Sequence, residues 1–332
     1  NVDNTTTDNS GNFNKSLGLG SYNLTYTKSG YISTTQSSAI ATDNQTVVVA
    51  TVILLASSSC SAGNISGTIK DAVSGSAISG VSISIRSGAN VTSGSTISGK
   101  TDNTTDSGTY TVSGVDAGGY TVQASKSGYI TSYFNVNVCS GNLTNQDANM
   151  STTLNSGSMR IVLSWKGTDD LDSHLEIPCT SGTCSGSNKN DKSHLFYGSF
   201  QSSAISDSGV STNTYHLYAA GDYVTLDQDN GDGSGAPCGA GCGPETMTIS
   251  KIRSGTYRYH VNNYDRQGLT NNRKLAESEA TVQVFYNNNS TTFYVPNSAG
   301  DLWTVFDFDN SSGFTPLNTM GSESDSSNVD DH

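Results

Sequence analysis

The residues best suited to chemistry are two groups of carboxylates. Asp170 and Asp172 stand two apart, so a strand puts both on one face and a turn lets both chelate. Asp227, Asp229 and Asp232 run into Gly233, an arrangement close to Asp-rich calcium loops. Calcium takes about six to eight oxygen ligands, which clustered carboxylates around a glycine turn supply. One structural calcium at these five residues is therefore expected, provided the two groups converge at one end of a domain. The rival reading is a solvated Asp-Gly turn, because Asn230 and Gly231 interrupt the run and no Glu closes it as in an EF-hand.

His174 next to Asp172, with His194, His216 and His260, raises a transition-metal or general-base site. Each of these histidines sits in a period-two pattern, where a cross-strand or satisfied buried role is the stronger reading. Paired acids also raise glycoside hydrolysis, but nothing separates a proton donor from a nucleophile. The chain has no Gly-x-Ser-x-Gly elbow, no His-Glu-x-x-His helix and no phosphate-binding glycine loop. No catalytic residue and no organic cofactor are assigned, and the chain is not expected to be an enzyme. Tyr257, Tyr259, Tyr264, Tyr286 and Trp303 are candidates for a sugar-stacking face, although alternation favours core positions for them.

Six cysteines, Cys60, Cys139, Cys179, Cys184, Cys238 and Cys242, suggest disulfides. Cys60 and Cys139 bracket one repeat unit, while Cys179–Cys184 and Cys238–Cys242 each flank a short Gly-rich loop. A four-cysteine zinc site from the last two pairs is the alternative. Asn-x-Ser/Thr sequons occur at Asn4, Asn14, Asn23, Asn44, Asn64, Asn90, Asn103, Asn142, Asn149, Asn288, Asn289 and Asn310. Nine of the 15 asparagines before residue 151 lie in sequons and none between 151 and 286 does, so the early region tolerates glycans and the later one is kept bare.

The elements that must position these residues are strands. Of 332 residues only 33% are hydrophobic and 14% charged, against usual shares of about half and a quarter. The difference is made up by 54 Ser, 39 Thr, 35 Gly and 31 Asn. Helix formers are scarce, and many segments alternate with aromatics, which argues for an all-β chain of tandem β-sandwich domains rather than disorder. A net charge of −13 with 16 Lys and Arg leaves no footprint for nucleic acid and repels anionic lipid. The longest apolar run, Val47 to Ala56, is half of what a membrane-crossing helix needs, about twenty residues, so no membrane insertion is expected.

An internal repeat organises the first half. The stretch from Asp3 to Ile32 and the stretch from Asp102 to Ile130 share DNTT, a Gly-rich turn, a Gly/Tyr strand and the closing Lys-Ser-Gly-Tyr-Ile, about 98 residues apart. Upstream of the second copy, Ser66-Gly67-Thr68-Ile69 and Ile78-Ser79-Gly80-Val81 add two strands around a turn. Together with Thr105 to Tyr110, Gly119-Tyr120 and Lys126 to Ile130, this pattern resembles the carboxypeptidase-regulatory-like domain, a small prealbumin-type β-sandwich. The resemblance covers about 65–153 and, in 1–57, only the second half of a unit. It implies an incomplete unit at 1–57 and a complete one at 58–154. The run Val47–Leu55 reads as the first unit's last strand, buried on both faces.

From Ser158 the pattern changes to about nine strands. Leu163-Ser-Trp165, Asp170-Leu-Asp172-Ser-His174-Leu175, Leu226-Asp227 with Asp229 and Asp232-Gly233, Gly243-Pro-Glu-Thr246, Gly255-Thr-Tyr257, Asn263-Tyr264 and Trp303-x-Val-Phe306 resemble the YfaP-like family of bacterial and archaeal surface or periplasmic domains. The resemblance implies a sandwich over 155–312, no settled activity, and an acidic Ser-rich tail over 313–332. A cysteine-bearing insert, Ser234 to Cys242, departs from that pattern.

These features point to a secreted structural subunit of an extracellular, cell-surface filament. Its partners would be copies of itself, joined through sandwich contacts or a strand donated to the incomplete first unit. The alternative is an adhesin or carbohydrate-binding stalk whose sequon-free third domain recognises surface glycans.

Overall fold

A computed structural model describes residues 3–9, 11–40, 47, 49, 51–178, 192–197, 214–216, 223–230 and 244–331. The described chain is nearly all β, and no helix in it is long and apolar enough to cross a membrane.

The first unit is small. β1 (Gly20–Tyr26) and β2 (Thr34–Ile40) form a two-stranded antiparallel sheet. Its closing turn and that of the second unit are the same device, as the sequence repeat requires. Tyr31 N–H donates to Lys28 O, and Tyr31 bridges to Ala56. In the second copy Tyr129 N–H donates to Lys126 O and Tyr129 bridges to Thr152. The tyrosines one strand earlier match as well: Tyr22 donates its hydroxyl to Gly18 O at 2.7 Å, and Tyr120 donates to Asp116 O at 2.9 Å. The repeat is thus a repeat of hydrogen bonds, not of composition alone. One expectation is corrected here. The described part of Val47–Leu55 is not a strand buried on both faces, and Ile53 is 59% exposed.

The second unit is a two-layer sandwich. One layer holds β3 (Gly63–Asp71) between β6 (Thr109–Val115) and β10 (Ala148–Met150), with β9 (Gly141–Leu143) also pairing β3. The other runs β5 (Thr101–Asn103), β4 (Ser82–Ser87), β7 (Gly118–Ser125) and β8 (Ser132–Val138). Alternate positions meet between the layers: Ile65, Ile69, Ile83, Ile85, Tyr110, Val112 and Val122 are all buried. Gly67 breaks the run of side chains because the chain crosses over it. A Cβ there would stand 2.2 Å from Gln146 O. Cys60 and Cys139 form a disulfide just before β3 and just after β8, so it joins the ends of opposite layers.

The third unit is a larger sandwich. Its six-stranded sheet runs β14 (Thr214–His216), β15 (Tyr223–Gln228), β16 (Glu245–Ile249), β11 (Met159–Ser164), β18 (Thr281–Tyr286) and β19 (Asn289–Tyr294). The five-stranded sheet runs β13 (Lys192–Leu195), β12 (Leu171–Pro178), β17 (Tyr257–Asn263), β20 (Leu302–Asp309) and β21 (Gly313–Gly321). Tyr259, Phe306 and Phe293 stack in its core beside Trp303. The stretch expected as a tail from 313 instead supplies β21 and a 3-10 turn at Ser326–Asp331, with Val329 fully buried. The serines begin only after the strand, whose Phe314 and Met320 pack on the core beside β20.

The second and third units share a core of their own. Ala72, Ile130, Val162 and Phe285 bury one another, with Leu154 packed alongside. Polar contacts ring this patch: Ser132 Oγ with Gln283, Ser290 Oγ to Thr131 O, Asn149 Nδ2 to Ser164 Oγ, and Arg160 Nη1 to Ser151 Oγ.

Candidate metal centre

Asp172, Asp229 and Glu245 each place a carboxylate oxygen within 4.8 Å of the other two. They come from three elements: β12, the residue just beyond β15, and the first residue of β16. β12 belongs to one sheet and β15–β16 to the other, so the cluster spans the sandwich at one end. Ser173 N–H donates to Glu245 Oε2 at 2.6 Å across this gap, and Ser173 Oγ shares a hydrogen bond with Tyr259 OH. Glu245 and Asp172 are buried to within 1% and 3%, while Asp229 is exposed. Glu245 Oε1 and Asp172 Oδ2 are buried oxygens with no hydrogen-bond partner.

The electrostatics are one-sided. Burial, then Glu245, Asp170, Asp229 and Asp265, drive Asp172 well above the usual carboxylate range. Burial, then Asp229, push Glu245 up likewise, and the Ser173 hydrogen bonds only partly offset them. The charges that raise Asp172 most, Glu245, Asp170, Asp229 and Asp265, are acidic. Such a site takes up either protons or a cation.

Asp227, expected among the ligands, lies elsewhere. Its Oδ2 accepts the Thr248 hydroxyl, and Thr248 Oγ1 in turn accepts Arg160 Nε at 3.0 Å. Asp227 keeps the outward phase of Thr225, and the irregularity between Leu226 and Gln228 shifts the alternation after it, so that Asp229 does not share its face. Asp170 stands close enough to act on both buried acids, and its backbone N–H is held by Asp265 Oδ2. Asp232 lies outside the described residues.

Glu245 was not expected as a ligand, although the sequence marks it. It alternates with Met247 and Ile249, both core residues, so a carboxylate occupies the inward phase of a strand.

The histidines form a buried polar layer on the same five-stranded sheet. His174 lies opposite His260 in the ladder, and its Nδ1 is 2.9 Å from His194 Nε2. His260 bridges Glu176 Oε1 at 2.9 Å and Thr304 Oγ1 at 3.0 Å. Asp330, from the C-terminal turn, approaches His194 Nδ1 at 3.6 Å. Burial, then His194 and His260, hold His174 well below the usual histidine range. The side chain of His216 is outside the described set. Of the aromatic candidates, Tyr257, Tyr259 and Trp303 are core residues, Tyr286 is half-buried, and Tyr264 is exposed, so they do not share one open face.

Among the described cysteines Cys60 and Cys139 are paired, while Cys179, Cys184, Cys238 and Cys242 lie outside the described residues. Asn4, Asn14, Asn23, Asn103, Asn142, Asn288, Asn289 and Asn310 are exposed, and Asn64 and Asn90 are half-buried. Asn149 is 9% exposed and bonded to Ser164 between the second and third units, a place with no room for a glycan. Asn44 lies outside the described residues.

No curated protein matches the chain significantly. Solved structures similar to it include the Bacillus anthracis TIE protein, at 11% identity over 76% of this chain and 38% of that one, with a TM-score of 0.23. A putative carbohydrate binding protein from Bacteroides uniformis matches at 11% identity over 70% of this chain and 99% of that one, TM-score 0.22. The major pilin SpaD from Corynebacterium diphtheriae matches at 14% identity over 70% of this chain and 65% of that one, TM-score 0.24. The chain thus spans less than two thirds of the TIE protein and of SpaD. Residues 64–151, the disulfide-clamped second sandwich, match the carboxypeptidase regulatory-like domain family.

Proposed function

We propose that the chain is a structural subunit of an extracellular, cell-surface fibre, with copies of itself as partners and no reaction of its own. One observation carries this reading: among the described residues the first unit has strands but no buried hydrophobic side chain. Among the described residues every buried hydrophobic side chain lies at Ile65 or beyond. Among the described residues β1 pairs with β2 alone, and its positions mostly alternate between exposed and half-buried. A two-stranded sheet is marginal in water, and an unpaired edge is a template for another strand. The second and third sandwiches support that edge as one body, because their shared apolar patch and its ring of hydrogen bonds resist bending between them. A strand from a second copy would complete the first unit and extend the array.

Electron microscopy and sedimentation at rising protein concentration test this. The expected result is regular filaments that grow with concentration. In a strand, successive N–H groups point to opposite sides, so one of Asn23→Pro and Leu24→Pro removes an outward donor. That variant should stay monomeric, with unchanged hydrogen exchange in the second and third units. Wild-type material that stays monomeric at all concentrations overturns the reading and favours the glycan-binding alternative.

A further inference from the structure

We propose that Asp172, Asp229 and Glu245 bind a single calcium ion that ties the two sheets of the third sandwich together. The inference does not depend on whether the chain assembles. An acidic cluster alone is weak ground, since exposed carboxylates gather without metal. Here two of the three are interior groups, and each keeps a buried oxygen that no donor satisfies. Buried polar atoms in folded chains nearly always have a partner, so two orphaned carboxylate oxygens at one cluster indicate a missing one. A cation answers that need, because three carboxylates meet there within 4.8 Å and a carboxylate oxygen can only accept.

The donor set selects the ion. All three ligands are carboxylates, which suit hard cations, and the cluster offers neither sulfur nor imidazole to favour zinc or copper. Oxygens within 4.8 Å of one another can share an ion whose bonds are about 2.4 Å long. Magnesium, with bonds of about 2.1 Å and strict octahedral demands, fits a three-element cluster less well. Asp229, exposed at the mouth, gives the ion a path from solvent, and water completes its shell there. Ser173 N–H, already bonded to Glu245 Oε2, leaves Oε1 as the metal-facing oxygen.

The test uses the whole chain, stripped with a chelator and titrated with calcium chloride in a calorimeter, and melted with and without the ion. One equivalent should bind, and the third unit's melting temperature should rise by about 5–10 °C at calcium a hundredfold above Kd. Magnesium should bind at least tenfold more weakly. Asp229→Ala, at an exposed position, should fold normally and lose most of the affinity. Glu245→Gln should lose it too. Asp227→Asn should keep it, because Asp227 faces Thr248 and Arg160. Absence of binding and of any thermal shift in the wild type overturns the proposal. So does loss of binding in Asp227→Asn with retention in Asp229→Ala, which would move the site to the other carboxylate.

Discussion

The second and third units are sandwiches that carry different chemistry at their ends. In the second, a covalent bond between Cys60 and Cys139 joins the start of β3 to the end of β8, across the two layers. In the third, three carboxylates gather from β12 and from the β15–β16 side, also across two layers. The interiors differ in the same sense. The second unit's core is aliphatic with two tyrosines, whereas one sheet of the third carries a buried layer of His174, Glu176, His194, His260 and Asp330. The difference shows how one architecture is held at two positions in a chain. A covalent clip needs nothing from solution, and an electrostatic one answers to its ionic content.

The largest effect expected from breaking this comparison is at the disulfide. Its closed loop spans 79 residues. Loop-closure entropy for that length is worth about 4–5 kcal/mol, before any native-state strain is counted. Cys60→Ser with Cys139→Ser should therefore weaken the second unit by about that amount. Hydrogen exchange should rise in peptides from β3 and β8 and stay unchanged in β12 and β16. Chelator should produce the complementary pattern. If reductant and chelator loosen the same peptides, the two clips are not independent and the comparison fails.

The buried polar layer should respond in two opposite ways. Removing one member of a buried hydrogen-bonded pair leaves its partner unsatisfied and costs about 1–3 kcal/mol, while replacing both partners with apolar side chains of the same shape can be nearly neutral. Glu176→Leu alone leaves His260 Nε2 without its carboxylate at 2.9 Å and should be strongly destabilising. Adding His260→Leu and Thr304→Val removes the hydrogen-bonded trio while leaving His174, His194 and Asp330, and should recover part of the loss in a denaturant melt. A triple variant as unstable as the single one would mean that the layer stabilises the sheet, rather than merely being tolerated in it.

Much of the second unit was legible in the sequence, because its determinants are local. Lys-Ser-Gly-Tyr turns, alternating Ile and Val, and glycines at crossings each act within a few residues. The third unit was legible as strands, but its site was only half legible. Asp172 and Asp229 were in view, since acids two apart near a glycine turn invite a metal. Glu245 was hidden by reading Pro-Glu-Thr as a family pattern instead of asking which face of β16 it takes. Asp227 and Asp229 stand two apart and would share a face in a regular strand, but the irregularity at Leu226–Gln228 breaks that alternation and leaves no mark in local composition. Residues 313–332 read as a tail, yet Gly313–Gly321 pairs with β20 and packs its own Phe314 and Met320 on the core of the third unit. Pairing between distant segments is what composition and spacing do not contain.

The smallest effect separates the rim of the third unit from its interior. Asp169 is a carboxylate only three residues from Asp172, yet its environment is the reverse. Burial acts to raise its pKa, but Arg266, through Nε at 2.9 Å and Nη2 at 3.1 Å, and Asn263 more than offset this and hold it below the usual range. A carboxyl depressed in the folded state adds stability above its unfolded value, about pH 4, and loses it as pH falls through the folded value. The Arg266 side chain is 39% exposed, so solvent screening limits the pair to at most about 1 kcal/mol. Asp169→Asn should therefore lower stability slightly at pH 7, and the gap from wild type should close below pH 4. Asp172, raised by burial and Glu245, and Glu245, raised by burial and Asp229, carry the opposite slope: their protonated forms favour the folded state as pH falls. An Asp169→Asn gap that widened on acidification would mean that this carboxyl also sits in the acidic field of the interior cluster. Rim and interior would then be one electrostatic site.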